Sequence, residues 1–435
     1  MSLATASGET EKAPACELLD LRLSSPELSP REARREIWTL ATTFGLLFLG
    51  TGAFQQFLGQ ALGGTEQARL LRSVVLAVLY GSFLLWRIGV AWTVRWLGEW
   101  RSILLGALSY TILPTLILLR SPTWLLLTGA ATMGWGAASL WLASGTRVLL
   151  LSSRPFENGP LRGSHYGRGT ATIYMGTISG LALGLVVQSL LAAWWGIEAT
   201  VLWAAGLSLA GAALATTLWR GGTPQEKPSW PAYRSLLFDP HILTSGVMLF
   251  ASALTYPVLL SSFGDEVVSQ GSVRTLGLVT VWFHVAHAIL SYVAGRASDH
   301  WGRGRTLAAG FLGGATGLVL ASLLQRTSGL SVAAFCLGIP SGMVPVVATA
   351  LVGDKVRGPR RTMALGSLFI WRDAAVVAGL VTGELLRRTL ALRGSYLVLA
   401  CVLVVFAAAS WRLGGRGGHV STSTDSANPA ARSGA

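Results

Sequence analysis

Residues 295 to 307 read GRASDHWGRGRTL and join two long apolar stretches, one ending near residue 297 and the next starting near 306. A connection this short between two membrane-length segments must reverse the chain within a few residues. Glycine suits such a turn, because without a Cβ it takes left-handed backbone conformations at little cost, which gives Gly295 and Gly302 their place. Asp299, Arg303 and Arg305 add charges that can clamp neighbouring helix ends, where partial charges of the backbone are left exposed.

Outward from that turn the chain is dominated by apolar segments. Of 435 residues, 51% are hydrophobic and 12% charged. An ordinary soluble protein carries about 25% charged residues. The composition therefore indicates an all-α integral membrane protein, since only helices and closed barrels satisfy their backbone polar groups in hydrocarbon. Each apolar segment approaches the roughly 20 residues needed to cross a bilayer. Twelve are expected, at about 37–61, 71–94, 102–119, 123–146, 169–192, 198–218, 242–263, 274–297, 306–325, 330–352, 363–386 and 394–412.

The net charge of +14 follows membrane topology rather than nucleic-acid binding. If residue 1 lies on the inner side, inward segments hold 24 of the 34 Lys and Arg and outward loops hold eight. This is the positive-inside pattern, and it puts both termini in the cytoplasm of a cell-membrane protein whose basic side meets anionic lipid. Cys16, Cys336 and Cys401 share no metal-site spacing, and no cofactor, metal or nucleic-acid partner is expected. Residues 1–36 form a polar tail in which Ser29, Pro30 and Glu32 spell a capping box, and residues 414–435 form a disordered tail.

Residues 219–240 are the longest polar interruption and serve as a linker between two six-helix bundles, 37–218 and 241–413. A shift of 204 positions lays Gly302 on Gly98 and Gly338 on Gly134. Arg95 then stands in place of Asp299, so the first copy of the turn is degenerate.

The spacing of Gly295, Asp299, Gly302, Arg303, Arg305 and Leu307 resembles the signature loop of the major facilitator superfamily. The resemblance implies twelve transmembrane helices in two six-helix bundles related by pseudo-symmetry, a secondary transporter of a small organic solute, and alternating access about a central site. Tyr80, the Leu97–Gly98 loop, and Gly136, Ala137, Ala138, Leu140 and Trp141 resemble the Unc-type ion channel regulatory branch, which implies a non-transporting regulator as the rival. RRTMALGSLFIWRDAAVVAGLVTG, residues 360–383, resembles helix 11 of bacterial efflux members and favours export. Those members often carry an arginine within helix 4, where Arg120 is the nearest candidate but precedes the span. They also carry a Gly-Pro pair in helix 5, where this chain has Gly176, Gly180 and Gly184.

Ionisable groups at membrane depth cost about 2.5–3.5 kcal/mol each on insertion scales, so they normally face a cavity or a partner. Arg87 and Asp373 fall at similar depths in spans that the fold makes neighbours, and they are expected to form a gating bridge, with Arg372 pairing locally as the alternative. His284 and His287 lie three apart on one helix face and could take a coupling proton or a polar substrate group. Gln55 and Gln56 supply uncharged hydrogen-bonding groups. Trp135, Trp141, Trp282 and Trp371 lie away from the span ends, where interfacial tryptophans collect, and are candidates for stacking on substrate. The alternatives are a hydrogen-bonded structural pair for the histidines, polar glue between helices for the glutamines, and core packing for the tryptophans. The protein is expected to act as a monomer.

The topology has a direct check. In a background without native cysteines, single cysteines at Glu66 and Asp265 should react with an impermeant thiol reagent from outside, and ones at Glu157 and Lys355 should not. Reversed labelling would overturn the orientation.

Overall fold

The computed structural model describes residues 28–153, 165–221, 230–324, 326–355 and 360–415. The far ends of both expected tails, the linker centre, Cys16 and Glu157 lie outside that set. Among the described residues no strand occurs, and ten helices are long and apolar enough to cross a membrane.

The helices begin where the sequence calls for them. Ser29 caps α1, Pro30–Leu47. Its hydroxyl accepts the Glu32 N–H at 3.3 Å, and the Glu32 carboxylate accepts the Ser29 N–H at 2.7 Å. That backbone donor holds the Glu32 carboxyl below its ordinary range. A π-helical turn, Phe48–Gly52, and a short helix, Leu58–Ala61, continue α1. Then come α2, Glu66–Leu97; α3, Glu99–Leu118; α4, Thr123–Ser153; α5, His165–Trp195; and α6, Ile197–Ala215. The linker contains a helix of its own, Trp230–Leu237. The second half runs through α7, Pro240–Ala253, followed by a π turn at Leu259–Phe263; α8, Val273–Trp301; α9, Arg303–Leu323; and α10, Thr327–Lys355. The last helical run, Arg360–Gly415, breaks at Ala391, where φ is 56°, and separates α11 at 360–390 from α12 at 392–415.

The repeat is visible in the backbone. Gly98 (φ 81°, ψ 161°) and Gly302 (φ 85°, ψ 152°) adopt nearly the same left-handed conformation, each ending one helix and starting the next. A Cβ on Gly134 would strike the Leu79 carbonyl, and one on Gly338 would strike the Phe283 carbonyl. Residue 283 is 79 shifted by the same 204 positions. In both halves the second helix packs against the fourth, and the third against the fourth. The halves meet where α2 lies on α11 and α5 lies on α8.

Contact inside the first half depends on small residues, as expected between membrane helices that gain little from excluding lipid. Gly176, Gly180 and Gly184 present one face of α5 to Ala41, Gly45 and Leu49 on the first helical segment, so close that an added Cβ would meet their carbonyl oxygens. The three-glycine run read in the sequence is this seam.

Gly180→Leu should therefore cost about 1–3 kcal/mol through overpacking. It should lower the unfolding temperature in detergent, whereas Gly206→Ala, with nothing within 4 Å, should not. Equal unfolding temperatures for the two variants would refute the seam.

Candidate functional site

The site is organised by Asp373, whose side chain is 4% exposed. One oxygen of its carboxylate accepts Arg87 Nε from α2 at 2.5 Å. The other accepts both Nε and a terminal nitrogen of Arg372 at 2.9 and 2.8 Å. The expected bridge and the local pairing of Arg372 thus exist together. Two guanidinium groups share one carboxylate, a net charge of +1. Arg87 stands ten residues before the end of α2 at Leu97, about 15 Å along the helix axis at 1.5 Å per residue. Arg87 lies over the Phe83 ring and Arg372 over the Phe369 ring, at 4.9 and 5.0 Å.

Half-buried aromatic side chains gather near these charges. The Tyr80 hydroxyl donates to Gln55 Oε1 at 2.7 Å and lies 3.4 Å from the Tyr256 hydroxyl, so a chain from Gln55 to Tyr256 crosses between the halves. Trp141 packs edge-on against Phe44 at 4.8 Å and tilted against Tyr174 at 5.5 Å. Tyr80 and Tyr174 are both within electrostatic reach of Arg372.

Toward the Glu66 end of α2, the halves are tied by further polar contacts. Arg72, 4% exposed, makes a two-pronged bond to Asp265 at 2.7 and 2.9 Å. Arg387 joins Glu66 and Glu384, each at 3.0 Å. The Gly277 N–H donates to Ser189 Oγ at 2.7 Å, where α8 presses on α5. Gln56 Nε2 donates to the Leu259 carbonyl at 2.7 Å. Asp265 is thus an ion-pair member with 15% exposure, which makes it a poor position for the labelling cysteine proposed from sequence.

Other sequence candidates are distributed differently. Gln56 is fixed between the halves by that carbonyl, while Gln55 faces Tyr80. His284 is buried edge-on against Phe283, with ring centroids 5.1 Å apart, and His287 is half-buried on the same helix. Trp371 covers Gly246 on α7, and Trp135 is half-buried in α4. Trp282 is 45% exposed on the face of α8 that also carries Leu278 and Ile289, so it is an outer-surface residue rather than a stacking platform. In the signature loop, Asp299 is 63% exposed and pairs with Arg303 at 2.8 Å, one turn away on its own loop. The side chains at the start of α5, around Arg168, lie outside the described residues. Arg305 lies over the Trp411 ring at 5.6 Å, and Gly295 has open space around its Cα.

The sequence reading missed Arg147. Counted there with a cytoplasmic loop, it lies inside α4, with its side chain completely buried. It pairs with Glu36 at 3.1 Å and Glu99 at 3.8 Å, and donates to the Trp219 and Gly221 carbonyls at 2.6 and 2.7 Å. Glu36 also accepts the Trp219 N–H, and its burial raises its carboxyl above the ordinary range despite Arg147. The search for an arginine in helix 4 had stopped at Arg120, which instead pairs on the surface with Glu198 at 3.3 Å. The small residues before Arg147, Ala143, Ser144, Gly145 and Thr146, gave no sign that the helix would run on to Ser153.

Residues 242–433 match the sequence pattern of the Major Facilitator Superfamily. The second half of this chain therefore carries the superfamily's sequence pattern. No curated protein matches it closely. Among solved structures, the fold is similar to that of a POT family transporter in complex with 5-aminolevulinic acid, at a TM-score of 0.69 and 11% identity over 88% of this chain and 96% of that one. It is also similar to the nucleoside transporter NupG, at 0.67 and 13% over 88% and 98%. At such identities the superfamily likeness concerns fold.

The shared carboxylate sets an order among variants. Asp373→Asn leaves two arginines unpaired at depth and should cost about 3–5 kcal/mol, whereas Arg87→Gln leaves Asp373 neutralised by Arg372 and should cost less. Exchanging Arg87 and Asp373 strips Arg372 of its partner, so the exchange should rescue only in part. Thermal unfolding of the four proteins checks the order; an Arg87→Gln variant weaker than Asp373→Asn would contradict it.

Proposed function

We propose that this protein is a secondary transporter that moves a small organic solute across the cytoplasmic membrane by alternating access. The observation that carries the reading is the buried Arg87–Asp373–Arg372 triad, which joins the two halves part-way along their length at a cost that plain helix packing would not require. Internal repeats of this kind enclose a central site and rock against one another around it. The halves 37–218 and 241–413 are the rocking units, with α1 and α11 completing twelve crossings and both termini cytoplasmic. The Arg72–Asp265 and Glu66–Arg387 bridges, Gln56 and Ser189 would then be the closed outer gate. Asp299, Gly302, Arg303 and Arg305 would act in the inner loop. The likeness of α11 to efflux members points to export. A coupling proton would be taken at His284 or His287.

The regulator reading finds less support. A static scaffold would gain nothing from ion pairs that tie its halves together along one side of a charged centre.

The test is a locked gate. Glu66→Cys and Arg387→Cys, 69% and 23% exposed in the native pair and introduced together into a chain without native cysteines, are bridged by a short bifunctional maleimide after reconstitution into liposomes. The solute is one found by thermal-shift screening, since a ligand stabilises the folded state that binds it. Flux should fall to the level of empty liposomes on bridging and persist in the unbridged protein. Undiminished flux after complete bridging would overturn alternating access.

A further inference from the structure

We propose that the central site selects small organic anions, with a carboxylate or singly charged phosphate seated on Arg372 and a flat apolar body among Tyr80, Tyr174, Tyr256 and Trp141. The inference deepens the transport reading and rests on it for the location of the site.

The charge count comes first. Arg87 and Arg372 bring two positive charges to the centre and Asp373 brings one negative charge. A monoanion would bring the total to zero, and an uncompensated cation at membrane depth is what costs most. A cationic solute would double the excess instead.

Access separates the two arginines. Arg87 is 18% exposed, whereas Arg372 keeps 32% of its side chain open while sitting beside a carboxylate that is 4% exposed. Arg372 uses Nε and one terminal nitrogen on Asp373, so its other terminal nitrogen is directed away from that bond. Guanidinium offers five donors in a planar fork suited to a carboxylate or phosphate. The same group already has Phe369 beneath it at 5.0 Å, which leaves the fork edge as its free recognition surface.

The surroundings define the rest of the ligand. Tyr80 and Tyr256 meet at 85° with centroids 6.3 Å apart, and Tyr174 continues to Trp141 at 5.5 Å. These rings come from α2, the segment after α7, α5 and α4, so both halves contribute. All four are half-buried, unlike the fully buried core aromatics Phe44, Phe54 and Phe283. Half-buried rings beside a cationic fork suit an aromatic acid better than a sugar, which would require more side-chain amides and carboxylates. Gln55 already spends its oxygen on Tyr80.

The test uses matched probes on the purified full chain in detergent: 1-naphthoate, 1-naphthamide and 1-naphthylmethylamine, read by quenching of tryptophan fluorescence and by thermal shift. A phenyl phosphate arm, run at about pH 5 where the monoester carries a single charge, separates phosphate from carboxylate, and a phosphatidylglycerol micelle arm separates free anions from lipid headgroups. The acid should bind at least tenfold tighter than the amide, and the amine should not bind. Arg372→Gln should weaken acid binding at least tenfold, and Arg372→Lys should restore part of it while keeping the fold. Equal binding of acid and amide, preference for the amine, or acid binding unchanged in a folded Arg372→Gln protein would each overturn the proposal. Displacement of naphthoate by the lipid alone, and not by phenyl phosphate, would also overturn it. Acid binding without flux in liposomes would sink the transport reading and leave this one standing; flux of neutral or cationic solutes without acid binding would do the reverse.

Discussion

A carboxylate buried in a membrane protein must be neutralised, and a guanidinium there must find an acceptor; Asp373 answers both demands at once, on both of its oxygens. The arrangement constrains everything around it. Arg372 comes from the same helix as Asp373 and cannot be separated from it by a movement of rigid bodies. Arg87 comes from the other half, so only the Arg87 bond can break as the halves move. When it does, Arg372 still covers the charge. The triad is thus a joint with one fixed and one exchangeable partner, and the gate bridges on the Glu66 side are independent of it.

Close packing makes such movement a matter of rigid bodies. The α5 glycines set backbone against backbone with the first helical segment, and Gly134 and Gly338 do the same in equivalent places of the two halves. Seams this tight have no room to shear within a half. Between the halves, Gly277 on α8 sets its backbone against the Leu185 carbonyl on α5, and the other ties are hydrogen bonds and ion pairs on long side chains, Arg72, Gln56 and Arg387, which can be broken and remade without repacking a core.

Much of this was legible in the residues. Glycine at a turn and charge at depth are strong signals, because few residues satisfy those constraints; Gly98, Gly302, Arg87 and Asp373 were found that way. The three-glycine seam was visible as spacing. What sequence could not supply was direction around the helix. Trp282 and Trp141 both lie away from their helix ends, yet one faces outward and the other meets Phe44 and Tyr174. Arg147 was lost because a helix end is set by tertiary partners, here Glu36, Glu99 and the carbonyls near Trp219, rather than by a local stop. Asp265 and Asp299 looked alike as loop acids, and only one is engaged across the halves.

Pulsed electron-spin distance measurements give the most direct test of two bodies pivoting about the triad. One spin-label pair sits at the exposed Gln67 and Arg274, and a second at the exposed Trp96 and Trp301. Removing the gate bridge with Arg72→Gln and Asp265→Asn should lengthen the first distance and shorten the second, since the joint at Asp373 lies between them. Two distances that stay fixed, or that lengthen together, would contradict the account.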